Sequence, residues 1–338
     1  MGLQIGNIIL SRKEIKLEEL RGKVIAVDAF NSIYQFLSSV RQIDGSYLMD
    51  SKGRITSHLS GLFYRNIALL QEGIKLVYVF DGEHHFLKKA TQELREEAKA
   101  NAELKYMKAL EEEDIELMGK YAKGFARLTK EMIDESKLLL EAMGIAVFQA
   151  PGEGEMQAAE LVKDGQAWAV ASQDYDALVI GAPRLIQNLT LARKRKTASG
   201  YIYIAPELIE YQKVLNELGI DADQFICLAI LVGTDFNPGG VKGIGPKKAL
   251  ALVKQKKYPA LIFKEVEGML NFNWPDIFEI FKKPNVSKEK VVFPKFDAEK
   301  IKKILVEEHD FSIERIENQI NNLNELRRQK TQRTLFDV

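Results

Sequence analysis

The sequence predicts an α/β fold with a mostly parallel central sheet and helices on both faces. Three observations carry this. Lys23-Val-Ile-Ala-Val-Asp28, Leu76-Val-Tyr-Val-Phe-Asp81 and Trp168-Ala-Val-Ala-Ser-Gln-Asp-Tyr-Asp176 are short apolar runs that close on aspartate. Segments with the 3.6-residue spacing of helices separate them. The order strand, helix, helix, strand suits parallel strands joined by helical crossovers.

The elements follow in order. The first twenty residues are mixed, with Gly2 and Gly6 allowing a tight path. After strand 23–28, Phe30, Ile33, Tyr34 and Leu37 mark one face of a helix. Residues 41–54 are polar and glycine-dotted, a loop or hairpin. An amphipathic helix runs from His58 to Glu72 and carries Arg65, and strand 76–81 follows. From Glu83 to about Lys130 charges crowd together, proline is absent and helix formers dominate, which reads as a solvated helical insertion. A helix at 131–143 and a short strand at 145–148 precede Ala150-Pro-Gly-Glu-Gly-Glu155. Proline and glycine open that segment, and Glu153 and Glu155 fall in the first turn of the helix that takes over. Beyond strand 168–176 come Leu185-Ile186, the basic run 193–196, a strand at 201–204 and a helix expected over 206–219. A strongly apolar helix, 223–232, ends at a turn holding Asp235. Short helices with packing aromatics (Phe272, Trp274, Phe278, Phe281) fill 258–310, a polar helix covers 312–328, and a flexible tail is expected at the end.

Composition bounds the function. The chain has 338 residues, 46% of them hydrophobic, with no apolar run near the eighteen or so that a membrane helix needs. One cysteine, Cys227, excludes a disulfide framework and reads as a core residue, which fits a cytosolic, reducing compartment. Lysine plus arginine equals aspartate plus glutamate at 48 each, so any affinity for nucleic acid must come from local sorting of charge.

Function in such sheets gathers beyond the C-terminal strand ends. Asp28, Asp81, Asp174 and Asp176 are placed there by the strand assignments. In an extended chain residues two apart share a face, so Asp174 and Asp176 are expected to aim at one point. Glu153 and Glu155 start a helix at the same edge, and Asp235 closes the ring if its helix packs end-on. Seven carboxylates without thiolate or histidine suit Mg²⁺ or Mn²⁺. Two such ions about 4 Å apart clamp the attacking and leaving oxygens of a phosphodiester. A second signal is Gly243-Ile-Gly-Pro-Lys-Lys-Ala249. Gly243 and Gly245 let backbone N–H groups meet a phosphate at a helix start, with Lys247 and Lys248 adding charge. Of the four histidines, His58 and His309 show no partner in the sequence, and His84 and His85 follow the Asp81 loop; none is assigned a metal.

At these residues the sequence resembles a flap endonuclease of the archaeal and eukaryotic type, within the XPG-like 5′ nucleases. The likeness spans nearly the whole chain, through Val27-Asp-Ala-Phe-Asn-Ser-Ile-Tyr-Gln-Phe-Leu37, Val77-Tyr-Val-Phe-Asp-Gly82, Pro151-Gly-Glu-Gly-Glu-Met-Gln-Ala-Ala159, Ser172-Gln-Asp-Tyr-Asp-Ala-Leu178, Leu231-Val-Gly-Thr-Asp-Phe-Asn237 and the Gly243 segment. The resemblance implies a PIN-like 5′ nuclease core, residues 1–98 and 131–262, with a helical arch at 83–130. It implies a helix–two-turn–helix at 223–257 with a bound K⁺, C-terminal helices at 263–329, and a sliding-clamp-binding tail at 330–338. The family's metal-binding acids fall on the seven named above, with Asp174 and Asp176 also counted as catalytic. Lys88 and Arg95 match its catalytic arch-base cations, Tyr34 its stacking aromatic, and Gly2 the residue whose free amine lies near the site. Arg41 and Arg65 are expected as further DNA contacts. Gln332, Leu335 and Phe336 fall in the clamp motif, although Val338 stands where the first aromatic belongs. The implied activity is incision of 5′ flaps at the duplex junction, with 5′–3′ exonuclease action, by an intracellular monomer in Okazaki fragment maturation and long-patch base excision repair. Two other readings fit less well. A non-catalytic junction scaffold would lack some of the seven acids, and all are present. An aspartyl phosphatase would need a second acid two residues after Asp28, where Phe30 stands.

Overall fold

The main sheet is built from β1 (Arg12–Glu14), β2 (Val24–Asp28), β3 (Lys75–Phe80), β4 (Ala146–Gln149), β5 (Ala169–Ala171) and β6 (Arg184–Gln187). After a separate hairpin of β7 (Lys194–Thr197) and β8 (Gly200–Tyr203), it is completed by β9 (Glu207–Glu210). The computed structural model describes residues 3–83, 85–190, 194–197 and 200–336. The seven strands lie in the order β1-β9-β6-β5-β2-β3-β4. The five from β6 to β4 are parallel, and β9 and β1 add an antiparallel edge.

Alternation along the strands divides the core in two. Ile25, Val27, Leu76, Tyr78 and Phe80 face one layer. It is built by α1 (Ala29–Ser39), α2 (Ser57–Gln71) and, beyond the long charged helix α3 (Lys89–Glu111) and α4 (Ile115–Ala122), by α5 (Lys130–Ala142). Ala26, Val77, Val79 and Val170 face the other. That layer holds α6 (Gly154–Lys163), α7 (Asp176–Val179), α8 (Tyr211–Leu218), the apolar α9 (Ala222–Val232) and α10 (Pro246–Lys256), with α11 (Pro259–Lys264) and α12 (Trp274–Lys282) packed on its outer side. Phe263 stacks on Trp274 at 4.4 Å, so the aromatics of this region pack as expected. Finally α13 (Ala298–Lys302) and α14 (Ile313–Phe336) return to the first layer. Between α12 and α13 an extended strap crosses α6. Gln157 accepts from Ser287 N at 2.6 Å and donates to Ser287 O at 2.9 Å, the two bonds a neighbouring strand would make.

Four expectations need correction. Residues 207–210 are a strand rather than the start of a helix, and β1 lies in a stretch that reads as irregular. Pro206 and two glutamates imitate a helix start, but Leu208 and Ile209 pair with β6, and tertiary pairing overrides propensity. The strand leading to the Asp174 pair stops at Ala171; Asp174 lies in a loop and Asp176 opens α7, so the two do not share a strand face. The backbone continues helical to Phe336 where a flexible tail was expected, since 325–336 holds helix formers and neither glycine nor proline.

His58 and His309, without visible partners in the sequence, meet in the fold. His309 Nδ1 lies 3.1 Å from Asp50 Oδ2 and its Nε2 3.3 Å from Glu135 Oε1; His58 Nε2 is 3.5 Å from Glu135 Oε2. Arg54 donates to Asp50 at 2.7 Å and to the Glu308 carbonyl. The network joins the 41–55 hairpin, α2, α5 and the π-helical turn Lys303–Glu307 that follows α13. Burial opposes charge on His309, but Glu135 and Asp50 outweigh it and raise its pKa. Burial likewise pushes Glu135 up, yet the two imidazoles hold it at about 2. Burial lowers the pKa of His58, although Glu135 works against it. A raised histidine contributes fully below its unfolded value near 6.5 and loses that contribution as pH rises through its folded value. Glu135 contributes above about 4 and loses it as pH falls toward 2. The melting-temperature gap between the protein and its His309→Gln variant is therefore expected to be largest near pH 5–6, at roughly 3–6 °C, and to narrow above pH 7. Thermal scans across that range would refute the charged-His309 account if the gap stayed constant.

Candidate active site

Each acid is set by the element that carries it. β2 delivers Asp28, whose carboxylate caps α1 by accepting from Asn31 N at 3.0 Å. Asp81 follows β3, and its Oδ1 accepts from Gly154 N at 2.6 Å where α6 begins. A Cβ on Gly154 would stand 2.6 Å from that oxygen and 3.0 Å from Val79 O, so the approach needs glycine. Glu153 immediately precedes α6 and receives the Lys88 ammonium. Glu155, on its first turn, accepts from Ala177 N at 3.1 Å and so ties α6 to α7. Asp174 is held from both sides: its N–H donates to Ser172 Oγ at 3.2 Å, and its Oδ2 accepts from Asn31 Nδ2 at 3.1 Å. Asp235, just past α9, accepts from Arg95 Nη2 through both oxygens at 2.8 and 2.7 Å. Lys88 Nζ lies 3.7 Å from it, and Thr91 Oγ1 donates to its backbone carbonyl at 2.7 Å.

All seven acids line one cleft of about 830 Å³, with Lys88, Arg95 and Tyr34. The lining holds eight carboxylates, Glu96 included, against three basic side chains, Lys88, Arg95 and Lys99. The excess is felt in the acids' proton affinities. Burial, with Asp81 and Asp174 beside it, pushes Asp28 up to about 8. Burial, then Asp235 and Asp174, pushes Asp176 up to about 7. Burial and the neighbouring carboxylates raise Glu155 well above its usual range, and raise Asp174 also. For Lys88 burial acts against the charged form, but Glu153 and Asp235 outweigh it and its pKa rises.

The arrangement fits hard cations. Every acidic donor is oxygen, and no histidine or cysteine lines the cleft among the described residues. Asp176 Oδ1 is buried without a hydrogen-bond partner. Among the described residues no three such donors close on one point as a metal would draw them. The cations the acids face here are the Lys88 ammonium and the Arg95 guanidinium.

Other expected residues lie elsewhere. Gly245 caps α10, Gly243 adopts φ +80°, and Lys247 and Lys248 are exposed or nearly so, with Lys248 Nζ donating to Gly243 O at 3.1 Å. Arg41 is outside the cleft: it donates to Leu37 O at 2.8 Å and Gly45 O at 2.7 Å and lies 3.9 Å from the Tyr47 ring centroid. Arg65 is half-buried on α2 and also outside it. Gly2, His84 and Val338 lie outside the described residues, as do the side chains of Gln332, Leu335 and Phe336, whose backbone belongs to α14. Residues the sequence reading did not single out also line the site: Asn31, Gln92 and Lys99, the last with Nζ 5.5 Å from the Tyr34 ring centroid. A signal existed, since 88, 92, 95 and 99 recur at the spacing of one helix face.

Known proteins supply an independent comparison. Residues 1–102 match the family model of the XPG N-terminal domain and residues 144–235 that of the XPG I-region. Asp28 and Asp81 fall in the first and the other five acids in the second. The chain is 51% identical to flap endonuclease 1 of Pyrococcus furiosus, covering 99% of this chain and 98% of that protein. It is 47% identical to flap endonuclease 1 of Aeropyrum pernix, covering 98% and 96%. Among solved structures, flap endonuclease-1 from Methanococcus jannaschii superposes with a TM-score of 0.77 at 42% identity, covering 97% of this chain and 100% of that one. The catalytic core of Rad2 in complex with DNA substrate reaches a TM-score of 0.69 at 23% identity, covering 94% and 97%, a likeness of fold alone. From identity of this level along almost the whole length, the chain belongs to the flap endonuclease family of XPG nucleases.

Proposed function

We propose that this chain is a structure-specific 5′ flap endonuclease with 5′–3′ exonuclease activity. It hydrolyses DNA phosphodiesters at the junction of flap and duplex, in Okazaki fragment maturation and long-patch base excision repair. The observation that carries the reading is a single cleft in which seven carboxylates, from strand ends, helix ends and a loop, face two cations from the base of α3.

The acids Asp28, Asp81, Glu153, Glu155, Asp174, Asp176 and Asp235 would hold divalent ions, Mg²⁺ with Mn²⁺ as a substitute. When bound, such a pair supplies an activated water and stabilises the leaving 3′ oxygen. Asn31 orients the Asp174 carboxylate, and Gly154 leaves room for Asp81. Lys88 and Arg95 neutralise charge that develops on the scissile phosphate. Tyr34 offers its ring to the adjacent base, and the Gly2 amine approaches the same phosphate. Residues 83–130 act as the arch over the flap, between core segments 1–98 and 131–262. The 223–257 helix–two-turn–helix holds the duplex through Gly243, Gly245, Lys247 and Lys248, where a K⁺ would add positive charge toward the phosphate, while Arg41 and Arg65 flank the junction. Helices in 263–329 brace the core. Gln332, Leu335 and Phe336 in the 330–338 tail engage a sliding clamp of the PCNA type. The enzyme works as a monomer on intracellular DNA, in the cytoplasm or nucleoid.

A labelled 5′-flap duplex with Mg²⁺ is expected to be incised near the junction, with no product when Mg²⁺ is withheld. Asp174→Asn should abolish turnover while binding of the flap duplex in Ca²⁺ is retained. Simultaneous loss of binding would contradict the separation of phosphate grip from chemistry. Lys88→Ala is expected to slow single-turnover incision by about 10²–10³-fold with little change in affinity. A rate close to the parent's would remove Lys88 from the reaction.

A further inference from the structure

The loop that carries Asp174 and Asp176 is secured unevenly. Its first half is tied by neighbours: Ser172 and Asn31 bond to Asp174, and Gln187 Nε2 donates to the Gln173 carbonyl at 2.8 Å. Asp176 has less. Its Oδ1 is buried without a hydrogen-bond partner, and α7, which it opens, is only 4 residues long. Asp235 and Asp174 both repel it. Between the two acids stands Tyr175, buried in the layer that holds α6 and α9. Its hydroxyl accepts from Arg12 Nη2 at 2.6 Å, and the same nitrogen donates to the Gly6 carbonyl at 2.8 Å. Arg12 Nε donates to Ile9 O at 3.2 Å, and its Nη1 lies 3.5 Å from Glu207 Oε2. The guanidinium is thus held at all three nitrogens. Arg12 also begins β1 and pairs with Ile209 of β9, so this pin is rooted in the main sheet. Gly6 makes room for it: a Cβ there would stand 2.8 Å from Tyr175 Oη and 3.0 Å from Arg12 Nη2.

We propose that Arg12, acting through the Tyr175 hydroxyl, is a positioning residue that holds Asp174 and Asp176 in place for a divalent ion. The inference rests on reading the seven acids as ligands of such ions. Tyr175 joins the two acids directly along the chain, so any displacement of its ring is passed to both carboxylates. Before an ion binds, like charges favour an opened loop. Ring burial restrains that loop but gives it no direction, because an apolar contact tolerates small slides. A charge-assisted hydrogen bond from a guanidinium fixed on every side does not. Arg12 is absent from the lining of the catalytic cleft, so it works through Tyr175 rather than on the ion or the phosphate. The pin holds the acids together ahead of the ion, as supporting bonds around metal ligands do.

The test is Mn²⁺ binding to the full chain without DNA, followed by electron paramagnetic resonance. The parent is compared with Tyr175→Phe, which keeps the ring and its volume and removes only the hydroxyl. Affinity is expected to fall about 10-fold, the lower end of the range for bonds that support metal ligands. The Mg²⁺ concentration for half-maximal flap incision should rise by a similar factor, and the single-turnover rate at saturating Mg²⁺ should return close to the parent's. Arg12→Gln should weaken Mn²⁺ binding as well, and the double variant should bind no worse than the weaker single one, since the two side chains act as a unit. A merely structural contact would lower the melting temperature and leave the Mn²⁺ affinity and the Mg²⁺ half-point unchanged; that result would overturn the proposal. Fully additive losses in the double variant would overturn it too. Should Arg12→Gln fold poorly, Tyr175→Phe decides alone. Failure of the parent to bind Mn²⁺ would instead overturn the reading of the acids, a separate outcome.

Discussion

Like charge held at close quarters is the constraint on which this molecule depends. At an effective dielectric near 20, two carboxylates about 5 Å apart repel by about 3 kcal/mol. No fold gathers these groups for its own stability. The raised proton affinities of Asp28, Glu155, Asp174 and Asp176 register the tension. The surroundings contain it by aiming donors inward: the Asn31 amide and backbone, the N–H groups of Gly154 and Ala177, and the cations of Lys88 and Arg95. The strands that carry the acids are the central ones, buried on both faces, so packing over-determines where the charges stand.

That tension also organises the charged helical insertion. Over its 23 residues α3 buries only Thr91 and Ala109, so it gains little from hydrophobic contact with the body. Its first turns are fixed instead by what they neutralise. Lys88 and Arg95 pair with Glu153 and Asp235, and Thr91 donates to the backbone at Asp235. The far end rests on the 41–55 hairpin, where a Cβ on Gly45 would stand 2.9 Å from Ala122 Cβ in α4. The hairpin is in turn anchored through Asp50 to His309. Helical insertion, hairpin and C-terminal turn thus form one chain of polar and close-packed contacts.

The extent to which this was legible in the sequence follows from the range of the interactions. Apolar runs ending in aspartate revealed the central strands and their acids because burial and strand-end placement are local patterns. The charged texture of 83–130 revealed solvated helices for the same reason. Short strands at the antiparallel side of the sheet escaped: β9 carries a helix-start signature, and only its pairing with β6 and β1 makes it a strand. Asp174 and Asp176 do line the cleft, but not by the shared strand face that their spacing suggests, because the strand ends at Ala171, before the first of them. The His58–Glu135–His309–Asp50 network was invisible since its members lie up to 259 residues apart.

A net-neutral chain with an acidic cleft is at first sight a poor partner for a polyanion. The contradiction resolves once attraction and reaction occupy different places. Near the acids a phosphate is repelled until cations compensate, so affinity generated there would depend on the chemistry's own charge balance. Lys247 and Lys248, on the first turn of α10, lie outside the catalytic lining. In the proposed function they supply affinity independent of that balance. Binding energy from this remote contact is then available to bring a phosphodiester against the acids, a contact that would not form unaided.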